Sequence, residues 1–262
     1  VAMADVIIES DLSLYELQDP PIGENEKTIA GLAAEMVHDG DCIQLGFGGI
    51  PNAIGFELMN RHDLGIHTEQ IGASMAHMIQ SGVVTNRYKN LDRGWSVGAF
   101  IIADNFTYNY VNNHPRIMMR RGRYTNDPMI IAQQDNMVSI NAALQIDLAG
   151  QVAAEAIGTV QWSGTGGATD YAYGAYHSRG GRAMLCQIST AKKGTISRIA
   201  PILDPGSIVS VSRNLTDMVI TEYGVAKLRQ RTVKQRVENL IAVAHPDFRA
   251  ELRKEANKYM YF

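Results

Sequence analysis

The fold is decided by the stretch Asp41-Cys-Ile-Gln-Leu-Gly46-Phe-Gly48-Gly49-Ile-Pro51-Asn52, in which an apolar run ends in a cluster of glycines. Residues 42–45 predict a buried strand. The glycines predict a turn into a helix that begins at Pro51, because proline suits the first helical position. Gly48 and Gly49 let a ligand approach the backbone closely, and their N–H groups point outward beside the positive end of the helix. The stretch therefore predicts an anion or carbonyl site.

A second short strand is predicted just after this helix, and it ends in the carboxylate of Glu69. A carboxylate beside backbone N–H donors suits acyl transfer, in which one group attacks a carbonyl and others hold its oxyanion. Two simpler interpretations stay open: the glycine turn is only a strand-to-helix connection, and Glu69 is only a solvated strand end. A dinucleotide site is disfavoured, because Pro51 stands where its glycine fingerprint needs a third glycine.

Composition places the chain among ordinary globular proteins. Hydrophobic residues make up 45% and charged residues 19%, and the net charge of −3 argues against nucleic acid as the main partner. No apolar run is long enough to span a bilayer and no leader is recognised, so neither a membrane partner nor secretion is expected. Cys42 and Cys186 lie in apolar stretches without metal-ligand spacing and predict reduced core residues in a cytoplasmic protein.

Predicted strands and helices alternate along most of the chain. Helices are predicted over residues 24–37, 73–80, 106–112, 233–244 and 247–258, and strands over residues 6–9, 42–45, 96–102, 137–140, 145–148, 183–188, 207–211 and 218–221. The alternation favours an α/β fold with a mostly parallel open sheet and helices on both faces. Residues 1–23 contain Pro20 and Pro21 and predict an extended connector before a domain formed by residues 24–262.

Several strings of residues, in order from about residue 6 to residue 256, resemble those of one family. They include Gly46-Phe-Gly-Gly-Ile-Pro-Asn52, His67-Thr-Glu69, Ser163-Gly-Thr-Gly-Gly167, Ser189-Thr-Ala-Lys192 and Val219-Ile-Thr-Glu222-Tyr-Gly224. The chain resembles the acetyl-CoA hydrolase/transferase group of class I CoA-transferases, which includes 4-hydroxybutyrate, butyrate–acetate and itaconate CoA-transferases. The resemblance implies a CoA-transferase domain of the NagB/RpiA-like fold. It also implies a homologous N-terminal CoA-transferase domain, separate from this chain, that shares the cleft. A homo-oligomer is expected as well.

The resemblance implies that Glu69 is the catalytic nucleophile of a ping-pong reaction through a covalent glutamyl-CoA thioester. A glutamate suits this role, because a carboxylate is ordinarily ionised at neutral pH and needs no general base. Acyl-CoA and a small carboxylic acid are the implied substrates, with no permanently bound cofactor and no metal. The implied oxyanion or CoA-binding groups are the backbone N–H groups of Gly48, Gly49, Gly166 and Gly167.

Three further residues are implied to line the site: Asn141, Lys192 and Glu222. Glu222 is expected to orient Glu69 or its ligands, and Lys192 to lie near the cofactor or the substrate carboxylate. The chain departs from the family's usual apolar residue and acidic stretch where it reads Gln70-Ile-Gly-Ala-Ser74, and from a common arginine at Tyr173. Two alternatives remain: an acyl-CoA hydrolase that uses the same glutamate, and a non-catalytic CoA-binding subunit.

Overall fold

The computed structural model describes residues 5–17 and 21–258. Within them the helices are α1 (Glu24–Ala34), α2 (Gly49–Glu57), α3 (Ala73–Gln80), α4 (Asn105–Val111), α5 (Gly122–Thr125), α6 (Pro128–Ile131), α7 (Ala168–His177), α8 (Val233–Val243) and α9 (Pro246–Lys258). The strands are β1 (Cys42–Leu45), β2 (Gly65–Ile66), β3 (Ser96–Gly98), β4 (Ile117–Met119), β5 (Met137–Ala142), β6 (Gln145–Asp147), β7 (Val152–Ala153), β8 (Ala156–Ile157), β9 (Val160–Gln161), β10 (Arg182–Cys186), β11 (Thr190–Ala191), β12 (Ile196–Ser197), β13 (Ile199–Ala200), β14 (Met218–Thr221) and β15 (Gly224–Lys227).

A six-stranded sheet forms the centre of the molecule, with the strand order β15-β14-β10-β5-β1-β2. All neighbours in this sheet run parallel except β14 and β15, which form an antiparallel hairpin. Smaller sheets pair β6 with β7 and β13, and β3 with β4. Because the carboxyl ends of the parallel strands meet at one edge, the segments that follow β1, β2 and β5 lie together there.

The two faces of the sheet carry separate hydrophobic cores. On β10, Ala183 and Leu185 face the core that contains α7, α8 and α9, whereas Met184 and Cys186 face the core that contains α1, α2 and α3. This alternation has the two-residue period of a strand, and both faces are covered by helices. The predicted α/β fold with a mostly parallel sheet is confirmed, whereas the NagB/RpiA-like label stays a prediction. Both cysteines are buried and free, as predicted.

Local predictions succeeded in the sheet and failed where an apolar run has no partner strand. The strand over residues 42–45 and the helix over residues 73–80 are confirmed. The predicted strands over residues 6–9 and 207–211 are wrong, since the first run is exposed and only Val211 of the second forms a bridge, to Val152. Helix α2 begins at Gly49 rather than at Pro51, because Gly48 adopts a φ of 119° and starts the turn earlier.

Residues 5–17 lie outside the regular elements and join the domain through a few hydrogen bonds. The N–H group of Leu17 donates to the carbonyl of Ala103 at 3.1 Å, and the Tyr108 hydroxyl donates to the carbonyl of Tyr15 at 2.8 Å. Pro20 and residues 1–4 of the predicted connector lie outside the described residues. In the part of the chain that is described, no helix is both long enough and apolar enough to cross a membrane.

Candidate active site

Glu69 follows β2, and its backbone is held by hydrogen bonds to the segment that follows β3. Gln70 forms an isolated parallel bridge to Phe100. The carbonyl oxygen of Glu69 accepts the N–H groups of Ala99 at 2.7 Å and Phe100 at 3.1 Å. These bonds fix the position of the Cα atom of Glu69, so its half-buried side chain leaves the backbone from a defined point.

The carboxylate of Glu69 meets the second glycine turn predicted from the sequence. Its Oε2 atom accepts the backbone N–H of Gly167 at 3.1 Å. Gly167 is the N-cap of α7, so the positive end of that helix faces the carboxylate. A Cβ atom at Gly167 would lie 2.6 Å from Oε2, which is closer than real Cβ contacts. The position therefore requires glycine if the carboxylate is to stay where it is.

Glu69 and Gly167 line one cleft of about 240 Å³ at the carboxyl edge of the sheet. Gly166 and Asn141, which the resemblance implied as site residues, line the same cleft. Gly46 lines it too and requires glycine, because a Cβ there would lie 2.5 Å from the Oδ1 atom of Asn141. Strands β1, β2 and β5 thus bring Gly46, Glu69 and Asn141, respectively, to one place.

A buried polar network fixes Asn141. Its Oδ1 accepts the amide of Gln44 at 3.0 Å, and its Nδ2 donates to the Gln44 Oε1 at 3.1 Å and to the Ser139 hydroxyl at 2.9 Å. Ser139 in turn donates to the Gln44 Oε1 at 2.9 Å. Gln44 and Ser139 are register partners on β1 and β5. Sequence reasoning missed this network, although a glutamine within the apolar run of β1 was a visible signal.

The structure does not bring Gly48 and Gly49 into the cleft of Glu69. Gly48 lines an adjacent pocket of about 30 Å³, which it shares with Gln70. Gly49 is the first residue of α2 and lines neither space. Gly46 stands in the cleft in their place.

Lys192 and Glu222 also lie apart from Glu69. Both line a different open cleft, of about 500 Å³, together with Arg198. The Glu222 carboxylate accepts the backbone N–H of Ser189 at 2.8 Å and its hydroxyl at 2.6 Å. Glu222 is therefore held by Ser189 rather than placed against Glu69. The roles inferred for Lys192 and Glu222 from the resemblance stay predictions.

A buried cluster supports the wall of the cleft behind Glu69. The carbonyl of Thr125 accepts the Tyr171 hydroxyl at 2.8 Å and lies 3.0 Å from the Nε2 atom of His67. Burial lowers the pKa of His67 to about 4, so its ring is neutral, and Nε2 carries the proton because a carbonyl only accepts. On α7, burial, aided by the negative charge of Glu69, raises the pKa of Asp170.

Two further observations concern possible metal ligands and Tyr173. Among the described residues, no three His, Cys, Asp or Glu side chains are arranged to hold a metal ion. Tyr173, where the family commonly has arginine, lines neither the cleft of Glu69 nor the pocket of Gly48, and its ring lies 4.6 Å from that of His177.

Comparison with known families decides the affiliation of the chain. The family model described as the acetyl-CoA hydrolase/transferase C-terminal domain matches residues 104–256, more than half of the sequence. The chain belongs to the acetyl-CoA hydrolase/transferase family. The matched range includes Asn141 and Gly167, but it begins after Glu69.

Similar proteins extend the match to almost the whole chain. A succinyl-CoA:cyclohexane-1-carboxylate CoA transferase from Geobacter metallireducens is 46% identical over 98% of this chain and 59% of its own length. A 4-hydroxybutyrate coenzyme A transferase from Clostridium kluyveri is 44% identical over 98% of this chain and 60% of its own. The crystal structure of RipA from Yersinia pestis superposes with a TM-score of 0.94 and 42% identity, over 100% of this chain and 59% of that one. The chain thus spans about three fifths of these relatives' length, and the predicted family is confirmed.

Proposed function

We propose that this protein transfers coenzyme A between a short-chain acyl-CoA and a carboxylic acid, with Glu69 as the nucleophile. The observation that carries the proposal is the hydrogen bond from the Gly167 N–H to the Glu69 Oε2 inside an open cleft. The names of the two similar CoA transferases support the reaction class.

The first half-reaction converts the glutamate into a thioester. The free carboxylate oxygen of Glu69 attacks the thioester carbonyl of acyl-CoA, and the carbon–sulfur bond breaks to give an acyl-glutamyl anhydride and CoA thiolate. The thiolate then attacks the glutamyl carbonyl and expels the acyl group as its carboxylate. The resulting glutamyl-CoA thioester retains the energy of the original thioester bond.

The hydrogen bond to Gly167 suits this second attack. Oε2 remains the carbonyl oxygen of the glutamyl group when Oε1 forms the anhydride bond. When the thiolate adds, negative charge develops on Oε2, where the Gly167 N–H and the N-terminus of α7 already point. Fixed donors of this kind accelerate reactions about 10²–10³-fold each, because they need no reorganisation as the charge forms. An incoming acid reverses the two steps and leaves as the new acyl-CoA.

The cleft is open on one side, and we propose that a preceding CoA-transferase domain covers it. Phe47 lines the cleft and is 58% exposed, and Phe100 beside it is also exposed. An apolar rim suits a covering domain, which would keep water from the anhydride and the thioester. The domain boundary at residue 24, a homo-oligomer and a cytoplasmic location also stay predictions.

Hydrolysis is the second candidate function, and it requires that the exposed rim of the cleft stays uncovered. Water that reaches the cleft would cleave the anhydride or thioester at Glu69, and the protein would then act as an acyl-CoA hydrolase. Release of free thiol in the absence of any acceptor acid measures this activity, and acetate-dependent formation of acetyl-CoA measures transfer. Thiol release that no added acid diverts would replace the transferase proposal by hydrolysis.

A single substitution tests the nucleophile. Glu69→Gln should abolish transfer, because the amide oxygen is a poor nucleophile, whereas Glu57→Gln changes an exposed carboxylate at the end of α2 and serves as the control. Borohydride should reduce the glutamyl-CoA thioester to an alcohol with release of the thiol. Mass spectrometry of the reduced protein should locate that alcohol at position 69. A label on another residue, or full turnover by the Glu69→Gln variant, would remove Glu69 from the mechanism.

A further inference from the structure

Two side chains complete the outer edge of β2, the strand that leads to Glu69. On its inner edge β2 pairs with β1. On the outer edge, the N–H groups of Leu64 and Thr68 donate to backbone carbonyls at 2.9 and 3.0 Å. At Ile66, between them, side chains take the place of a neighbouring strand. Its N–H donates to the Oδ1 atom of Asn86 at 2.9 Å, and its carbonyl accepts the Nζ of Lys89 at 2.8 Å.

The same two side chains reach across to the beginning of β3. The Nζ of Lys89 also donates to the carbonyl of Trp95 at 2.7 Å, and the Nδ2 of Asn86 donates to the Ser96 hydroxyl at 3.0 Å. Lys89 is only 2% exposed, so its amino group depends on these carbonyls for hydrogen bonds. The end of β2 and the start of β3 are therefore held together through Lys89.

The stem of Lys89 can cross β2 because residue 65 is glycine. A Cβ atom at Gly65 would lie 2.7 Å from the Cγ and 3.1 Å from the Cδ of Lys89. The turn that carries the lysine is fixed as well. The N–H groups of Asn90 and Leu91 donate to the Oε1 atom of Gln134 at 3.0 and 3.3 Å. Lys89 thus approaches β2 from an anchored segment.

The contact between the two strands continues as far as the nucleophile. Ile66 stands three residues before Glu69. The carbonyl of Glu69 accepts the N–H groups of Ala99 and Phe100, which follow β3. The spacing that is set at Ile66 therefore also sets where the Glu69 backbone lies. Its carboxylate must stay within 3.1 Å of the Gly167 N–H to keep their hydrogen bond.

We propose that Lys89 is a positioning residue for Glu69. It holds the end of β2 against the start of β3 and so keeps the carboxylate of Glu69 at the Gly167 N–H. The inference rests on the proposed function, because this position matters for the reaction only if Glu69 is the nucleophile. Lys89 lines neither the cleft nor the adjacent pocket, so it should affect the chemical step rather than the binding of acyl-CoA.

The test measures the first half-reaction in Lys89→Met, which removes the amino group and keeps most of the stem. The chain, assembled with its covering domain, is mixed with saturating butyryl-CoA and stopped with borohydride at successive times. Mass spectrometry then gives the rate constant and the amplitude of glutamyl-CoA formation. Unfolded molecules lower the amplitude but not the rate constant. The rate constant should fall about 100-fold, the cost of a shift of about 1 Å in a reacting group, and KM for butyryl-CoA should stay within a few-fold.

Two more variants separate positioning from the loss of a buried cation. Gly65→Ala keeps the amino group but pushes the stem of Lys89 away from β2, so it should lower the same rate constant at least about tenfold. The matched control is Arg236→Met. The guanidinium of Arg236 also donates to two carbonyls, those of Leu228 at 3.1 Å and Arg213 at 2.6 Å, and it lines neither space. This variant should be less stable but keep the wild-type rate constant.

The outcomes distinguish the role of Lys89 from the proposed function. A wild-type rate constant in Lys89→Met, or an equal fall in Arg236→Met, would overturn the role of Lys89 and leave the function of Glu69 intact. If Lys89→Met does not fold, Gly65→Ala decides: a reduced rate constant supports the role, and an unchanged one overturns it. Absence of glutamyl-CoA in the wild type would overturn both.

Discussion

Replacing Gly167 by alanine tests the contact on which the proposed mechanism depends. The new Cβ would lie 2.6 Å from the Glu69 Oε2 and 2.5 Å from the Asn126 Nδ2. Ordinary van der Waals contact begins near 3.4 Å, so the carboxylate or its neighbour must retreat by about 0.8 Å. The backbone itself would tolerate alanine, since Gly167 has a φ of −81° and a ψ of 4°. The predicted damage is therefore steric and local.

A displacement of about 1 Å in a reacting group costs on the order of 10²-fold in rate. We expect Gly167→Ala to lower kcat for acetate-dependent CoA transfer by about 100-fold. The loss of stability should be small, about 1 kcal/mol for alanine at an N-cap. Steady-state kinetics with a thermal melt on the same sample separate the two effects.

The matched control is Gly164→Ala in the same glycine turn. A Cβ at Gly164 would meet no atom within 4 Å, so this variant should keep activity within a few-fold of the wild type. If both variants keep nearly wild-type activity, the Gly167 N–H and the present position of Glu69 have no part in catalysis. An equal loss in both would indicate that the turn as a whole, rather than one contact, matters.

Three further predictions concern the support of the site and the core. Gly46→Ala should push Asn141 out of its polar network, with a loss of about 1–3 kcal/mol in stability and a clear loss of activity. His67 is neutral in the native protein, so stability should be complete above about pH 6.5 and fall by up to about 3 kcal/mol as the pH drops towards 4. Arg182→Gln should cost about 3 kcal/mol, because it leaves the buried carboxylate of Asp41 without its cation, and should not alter activity.

Each of these has a measurement and a contrary outcome. Denaturant unfolding gives the free energy of unfolding at each pH. Between pH 6.5 and 4 it should fall less for His67→Gln than for the wild type, and as much as in the wild type for the exposed His62→Gln. An equal fall in all three proteins would contradict the His67 assignment. For Gly46→Ala, the free energy of unfolding and kcat should both fall. A loss of stability with unchanged kcat would show that Asn141 has no role in the site. Arg182 lies at the amino end of β10, and the cleft lies at the carboxyl edge of the sheet. A folded Arg182→Gln protein should therefore keep kcat, and a reduced kcat would contradict this independence.

Much of the fold followed from local sequence patterns, because the burial of a strand or helix face leaves its own periodicity in the sequence. Strands buried on both faces read as short continuous apolar runs, so β1, β5 and β14 were visible without a structure. Helix α7 was missed, since its tyrosines and Gly174 give it little intrinsic helix propensity. Its stability comes from packing: Tyr171, Ala172 and Ala175 are buried in the core.

The sequence by itself determined the strand, the glycine turn and the position of a carboxylate at the end of a second strand. It also carried the family resemblance that singled out Glu69. Only the tertiary structure decided which glycine N–H reaches that carboxylate, because Glu69 and Gly167 are 98 residues apart. Their meeting depends on the strand order and on the packing of α7: Glu69 follows β2 at the carboxyl edge of the sheet, and Gly167 caps α7, which packs on β5 and β10. The same order leaves Lys192 and Glu222 in another cleft, a separation that no local pattern in the chain encodes.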